Sequence, residues 1–319
     1  MNIELVLSLI IPCYNEEETI DLMYNEINRV FGESKNIEML FVNDGSKDNT
    51  QLKIIELAEN DRRIKFISFS RNFGKEAAML AGMKYASGDY ICILDSDLQH
   101  PPSMIPEMVK ALEEGYDVAA ARRTDRSGEA KAKSFFSRKF YSVINWLTTV
   151  KIEEGAQDFR VMKRKVVESI ISMPEYFRFS KGIFSWVGFK TKWFPHQNVD
   201  RPAGKSKFNN FKLFKYAIDG IISFSVVPLR ISLIFGIIVS LIGFTYAIII
   251  IINAILYKNT GSSSGYSSIM SGLLIIGGTV LICLGILGEY IAKIYIETKN
   301  RPLYIIDTMN IIYKDNHVE

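Results

Sequence analysis

The chain has 319 residues, a formal net charge of +3 (38 Lys+Arg against 35 Asp+Glu) and 48% hydrophobic residues. That much apolar material excludes a disordered chain, and the near-balanced charge excludes a nucleic-acid binder working by bulk positive charge. Cys13, Cys92 and Cys283 have neither pairing nor ligand spacing and read as buried thiols in a reducing compartment, and three scattered histidines exclude a His-rich metal site.

The first element, LVLSLII, follows Glu4, lacks a basic leader and runs at once into PCYNEEE. It reads as a buried strand and not as a signal peptide. Apolar runs at Leu5–Ile11, Ile37–Asn43, Ile64–Ser68, Tyr90–Leu94 and Tyr116–Ala121 predict strands. The patterns at Glu17–Phe31, Lys47–Glu59, Glu76–Tyr85 and Ser103–Glu114 predict helices between them. Strands alternating with helices of this length predict an α/β domain with a mostly parallel sheet, and ligand chemistry at the carboxyl ends of its strands.

The second half differs. Of the 38 basic residues, 33 lie at or before Arg230, and Lys258 stands alone between Ile231 and Ala292. Ile231–Tyr257 and Ile269–Gly288 carry no charge, and about 20 apolar residues suffice to cross a bilayer. The sequence predicts four parts: an α/β domain over 1–207, an amphipathic interfacial segment over 208–229, two transmembrane helices within 230–292 (about 231–257 and 267–292), and a tail over 293–319. Arg230, Lys293, Lys299 and Arg301 flank the pair, so the positive-inside rule puts both ends in the cytoplasm and the connecting loop outside. Phe208–Leu229 mixes Lys212, Lys215 and Asp219 with aromatic and aliphatic residues and is read as lying at the membrane surface.

Three polar clusters fall after predicted strands: Pro12-Cys13-Tyr14-Asn15-Glu16, Asn43-Asp44-Gly45-Ser46, and Asp95-Ser96-Asp97-Leu98-Gln99-His100. Asp95 and Asp97 stand two apart after the buried run YICIL, so in extended chain both point to one side. Two carboxylates so placed call for a cation between them, and oxygen donors suit Mg²⁺ or Mn²⁺. An exposed acidic turn is the plainer alternative. Arg201–Lys207 places cations around Pro202 and Gly204. It reads either as a phosphate clamp or as a basic stretch attracted to anionic lipid. Arg71 and Lys75 either reach phosphate or cap structure, and stand outside the catalytic set.

Taken in order, PCYNE, VNDGS, SRNFGKE, DSDLQHPP, GAQDFRVMKR (155–164), RPAGKSKF (201–208) and the hairpin resemble the family 2 glycosyltransferases of GT-A fold. Within them they resemble the polyprenyl-phosphate type, which includes bactoprenol glucosyltransferases and dolichol-phosphate mannose synthase. The resemblance runs over about 300 residues. It implies that Pro12, Tyr14, Glu16, Asp44, Ser46 and Asp95 hold the nucleotide, Asp44 reading the base. It implies that Asp95, Asp97 and Gln99 hold the metal, that Asp158 matches the family's proposed base, and that Arg122, Arg126, Arg201, Lys205 and Lys207 hold phosphate. His100 departs from the Asp frequent in close kin. The implied reaction is an inverting transfer of a hexose, glucose first, from a UDP-sugar to undecaprenyl phosphate at the cytoplasmic face of a bacterial membrane. Asp97 would act in catalysis through the metal. A lipid phosphate is already anionic at neutral pH, so Asp158 is expected to orient substrate or an acceptor-side cation. A separate flippase and a homo-oligomer are further expected partners. A processive polysaccharide synthase is the rival enzyme, disfavoured because no Gln-x-x-Arg-Trp motif is present. A silent lipid-binding subunit is the rival of another class, disfavoured by the intact acidic motifs.

Overall fold

A computed structural model describes residues 6–123, 153–173, 175–196, 222, 225–256 and 265–311. In chain order it gives β1 (Leu7–Cys13), α1 (Ile20–Phe31), β2 (Ile37–Asn43), α2 (Thr50–Asn60), β3 (Ile64–Phe69), α3 (Lys75–Tyr85) and β4 (Tyr90–Ile93). A 3₁₀ turn at Pro102–Met104 leads into α4 (Ile105–Glu113) and β5 (Val118–Arg123). Then follow β6 (Ala156–Lys163), α5 (Arg164–Ile171), α6 (Ser180–Trp186), β7 (Thr191–His196), α7 (Val227–Leu256), α8 (Gly265–Thr298) and β8 (Ile306–Met309).

The strands form one sheet in the order β7-β5-β6-β4-β1-β2-β3-β8. The pairs β1/β2, β1/β4, β2/β3 and β5/β7 are parallel, whereas β6 runs antiparallel between β4 and β5. A parallel sheet covered on both faces needs nearly continuous apolar strands, and β1 (LSLIIPC) is buried along almost its whole length. Its side chains alternate between two cores. Leu9 and Ile11 pack with Met39 and Phe41 under α1, α2 and α4. Ile10 packs with Leu40 and Val42 under α3, α5 and α6. Helix α3 is buried at every position from Ala77 to Met83, and small residues let it lie close to the sheet. A Cβ on Gly82 would stand 2.2 Å from Ile10 Cγ2.

The five predicted strands and four predicted helices are present, β2 with both ends as predicted and the others with ends moved by at most three residues. Three strands were not predicted. β6 lies in the segment quoted only as a motif, β7 lies at the sheet's far edge, and β8 lies in the predicted tail. Helix α8 ends at Thr298, and Asn300 takes a left-handed turn (φ 44°). The chain then adds β8 antiparallel to β3. Tyr304 stacks on Phe69 with ring centroids 5.0 Å apart. The Asn310 amide accepts from Phe66 N at 2.7 Å and donates to Ile64 O at 3.2 Å.

Helices α7 and α8 are longer than the expected spans. Within them Val227–Tyr246 and Ile275–Thr298 are long and apolar enough to cross a membrane, and their apolar side chains are mostly exposed. Tyr290 Oη donates to Ser225 O at 2.6 Å. The end of α8 also meets the catalytic domain, where both Glu297 oxygens accept from Tyr176 N at 3.1 and 3.2 Å. Most of the predicted interfacial segment and the loop joining the two helices lie outside the described residues.

Candidate active site

Strands β1, β2 and β4 are parallel neighbours, so the loops after them meet on one rim, as parallel sheets dictate. Short polar side chains stitch the first two loops together. Asn15, left-handed at φ 52°, donates its N–H to Ser46 Oγ at 2.9 Å and accepts from Lys47 N at 2.8 Å. Glu16 N donates to Thr50 Oγ1 at 2.8 Å, and the Glu16 carboxylate accepts from Thr19 Oγ1 at 3.1 Å. Pro12 lies on β1 beside Val42, and Tyr14 follows it, partly buried. Pro12, Tyr14, Glu16, Asp44 and Ser46 therefore share one loop cluster.

Asp44 lies at the bottom of that cluster and is 3% exposed. Its two oxygens accept from Phe73 N at 2.6 Å and Gly74 N at 2.9 Å. Burial pushes its pKa up to about 6, against the pull of those two amides and of Arg71. The β3–α3 loop comes this close because Gly45, at φ +64°, has no side chain. A Cβ there would lie 2.3 Å from the Arg71 backbone.

The third loop meets β6. The antiparallel register pairs Ile93 with Arg160; carried two residues further, it sets Asp95 opposite Asp158. Like charges facing each other across strands repel, and here a cation stands between them. Lys75 Nζ, from the start of α3, lies 2.6 Å from Asp95 Oδ1 and 2.7 Å from Asp158 Oδ2. Burial acts to lower the Lys75 pKa, but Asp158 and Asp95 outweigh it and hold it well above lysine's ordinary value. Burial likewise acts to raise Asp158. Lys75 and then Lys181 outweigh it and hold that carboxyl well below the usual range.

Neighbouring groups brace this bridge. Glu76 accepts from Ser180 N at 3.2 Å and from the Ser180 hydroxyl; burial, with Asp158 adding to it, pushes its pKa up. Arg160 is buried, lies 3.6 Å from the centre of the Phe184 ring and donates to Gln157 O at 2.7 Å. Burial lowers its pKa to about 10 against the attraction of Asp158.

Asp97 accepts from Gln99 N at 3.1 Å across Leu98, which is left-handed at φ 56°. The Gln99 carbonyl meets His196 Nε2 at 3.0 Å. His100 is buried beside Phe159 and His196, and burial lowers its pKa. Among the described residues no three His, Cys, Asp or Glu side chains converge as a metal cluster. The oxygen donors here are those of the Asp95–Asp97 pair. Such a pair suits a hard ion that keeps waters and takes phosphate oxygens, and Asp95 already accepts one cation, the Lys75 ammonium.

Of the expected phosphate-binding residues, Arg122 sits at the end of β5, with Nη1 2.6 Å from Glu153 Oε1. Both side chains are partly exposed, and a pair of that kind is weak and easily exchanged. Arg126, Arg201, Lys205 and Lys207 lie outside the described residues. The residue that sequence reasoning set aside, and that the structure puts at the centre, is Lys75. Its signal was its place in SRNFGKE, and nothing local marked its two partners.

Comparison with known proteins agrees with this architecture. The profile described as glycosyl transferase family 2 matches residues 8–171, and the one described as GtrB C-terminal hairpin matches 227–294. The bactoprenol glucosyl transferase of Shigella phage SfII is 45% identical over 302 residues, 94% of this chain and 97% of that protein. The prophage bactoprenol glucosyl transferase homolog of Escherichia coli K12 is 44% identical over 302 residues, 94% of this chain and 98% of that protein. Among solved structures, glucosyl-3-phosphoglycerate synthase of Mycobacterium tuberculosis is 16% identical with a TM-score of 0.47, over 68% of this chain and 78% of that one.

Proposed function

The chain belongs to glycosyl transferase family 2, and from that premise we propose that it moves glucose from UDP-glucose to a polyprenyl phosphate, undecaprenyl phosphate in a bacterial membrane. The observation that carries this reading is the Asp95–Lys75–Asp158 bridge. It brings the donor motif of one strand and the QDF motif of its antiparallel neighbour to one point on the rim. The names of the relatives support glucose and bactoprenol as the pair of substrates.

In this reading the base lies in the Asp44 cluster and the diphosphate lies over Asp95 and Asp97. A divalent ion held by Asp95 and Asp97, with Gln99 beside them, would offset the charge developing on the leaving UDP. A phosphate oxygen of the acceptor attacks the anomeric carbon as the bond from that carbon to UDP breaks, with inversion. The acceptor's second pKa is near ~6, so its nucleophilic oxygen needs little deprotonation at neutral pH. That fits an Asp158 held strongly ionised, which is a poor proton acceptor and a good partner for a cation. Arg122, Arg126, Arg201, Lys205 and Lys207 are the proposed phosphate holders. The two apolar helices keep the domain at the cytoplasmic surface, where a lipid acceptor is found. Moving the product across the membrane falls to a separate flippase, and small residues on the helices favour a homo-oligomer.

The test is transfer by the purified full chain in detergent. Radiolabelled UDP- and GDP-sugars are offered with undecaprenyl phosphate, with Mg²⁺, Mn²⁺ or EDTA. A lipid-linked product from UDP-glucose, lost with EDTA and lowered about 100–1,000-fold in Asp97→Ala, supports the reading. No product from any donor with folded protein sinks it.

A further inference from the structure

Lys75 stands between the carboxylate expected to hold the donor's cation and the carboxylate on the acceptor side. We propose that Lys75 is an internal counter-cation of this site: it holds Asp95 and Asp158 together in the empty enzyme, yields Asp95 to the divalent ion that arrives with the sugar nucleotide, and stays on Asp158 to meet the acceptor phosphate. The proposal rests on the reading of Asp95 and Asp97 as cation ligands.

Three observations carry it. The ammonium contacts one oxygen of each carboxylate, at 2.6 and 2.7 Å, so an ion taking Asp95 Oδ1 must displace it or share that oxygen. The Lys75 side chain is 42% exposed while Asp95 and Asp158 are 24% and 18% exposed, so the cation faces the open rim from which substrates come. The backbone at Gly74, just before Lys75, donates to Asp44, and the next residue, Glu76, is held by Ser180. The stem of Lys75 is thereby fixed at both sides, and only its flexible end is left to move. Lysine suits this role where arginine does not. A point charge on a four-carbon stem can leave one carboxylate and keep another, whereas a planar fork binds carboxylates through paired hydrogen bonds and resists exchange.

The experiment is Mn²⁺ binding to the full chain in detergent, without nucleotide, followed by the loss of free Mn²⁺ signal in electron paramagnetic resonance. It compares wild type, Lys75→Met, Lys75→Arg and Asp97→Ala. UDP binding to each variant checks that the Asp44 cluster is intact. Removing the competing ammonium is expected to tighten Mn²⁺ binding about 3–10-fold in Lys75→Met, which is about 0.7–1.4 kcal/mol and the scale of a unit charge acting at a partly exposed site. Lys75→Arg is expected to weaken it. In transfer assays Lys75→Met is expected to raise KM for the polyprenyl phosphate more than KM for the UDP-sugar, with lysine's charge but not its reach restored by Arg. Mn²⁺ binding that is unchanged or weaker in Lys75→Met, with UDP binding retained and Asp97→Ala abolishing Mn²⁺ binding so that the free signal persists, overturns the counter-cation role alone. Binding absent from both wild type and Lys75→Met overturns it together with the cation reading of Asp95 and Asp97.

Discussion

In β1, Leu9, Ile10 and Ile11 have no exposed surface, whereas in α7 Leu241, Ile242 and Phe244 are 61%, 65% and 70% exposed. The two stretches are similarly apolar. The difference is one of length and cover. A strand of 7 residues is short enough to be enclosed by the chain's own helices on both faces. A helix of 30 residues spans about 45 Å at 1.5 Å per residue, and among the described residues its large apolar side chains stay largely uncovered. Leaving one such side chain in water forgoes about 1.5–3 kcal/mol, so a row of them requires another apolar medium. In the proposed reading a bilayer supplies it, and the two regions are then stabilised by different solvents.

The sharpest way to break that comparison is to truncate one leucine in each region. Leu9→Ala is expected to lower unfolding stability by about 2–5 kcal/mol through lost burial and a residual cavity. Leu241→Ala in a vesicle is expected to cost less than about 1 kcal/mol, because its neighbour is lipid and lipid refills the space. Urea titration of UDP binding in reconstituted protein measures both. Equal losses would mean that the Leu241 face is packed against protein, and the contrast between the regions would fail.

Burial in the first region also acts on a charge. Asp44, with its pKa raised to about 6, binds its proton more tightly folded than unfolded. Its contribution to stability is therefore greatest at low pH and is lost as pH rises from the ordinary carboxylate range through about 6. Base recognition in the proposed reading needs the opposite, an ionised Asp44 that accepts from the base. UDP affinity is then expected to fall about tenfold per pH unit below that value, and to be flat with pH in Asp44→Asn. A flat profile in wild type by calorimetry would remove Asp44 from base recognition.

What the sequence made legible follows the same division. Strands β1 to β5 and helices α1 to α4 were readable because burial in the sheet and against it forces periodic apolar runs, and α7 and α8 were readable because their apolar runs are longer than any core element here needs. Strand β6 was not, since AQDFRVMK puts Gln, Asp and Arg within the strand and breaks the apolar run that marks a core strand. The acidic pair was legible as spacing. Lys75 was not legible as its partner, because the ion pair to Asp158 joins residues 83 apart and depends on β6 running antiparallel to β4. The proposed phosphate clamp at Arg201–Lys207 lies outside the described residues and stands on composition and resemblance.

Strand β8 was the least visible, being 4 residues with mostly exposed side chains, and it is where the two regions are joined. The chain leaves α8 and ends up bonded to β3, whose far end opens into the loop that carries Phe73 and Gly74 and leads into α3 at Lys75. Ser70 N, just past β3, donates to Ile305 O at 3.1 Å, and Asn310 holds the start of β3 at Phe66 and Ile64. The α7–α8 pair is therefore tied into the sheet beside the Asp44 loop cluster. Asn310→Ala removes an acceptor from Phe66 N and a donor to Ile64 O, at a strand edge where water can replace part of both. The expected cost is about 1 kcal/mol, with faster hydrogen exchange at Phe66 and along β8 and little change over β1. Exchange that rises equally in β1 and β8 would mean that the sheet opens as one unit and that the strap has no separate give. Exchange confined to β8 would mark the join as the place where the anchored part and the catalytic part can move apart.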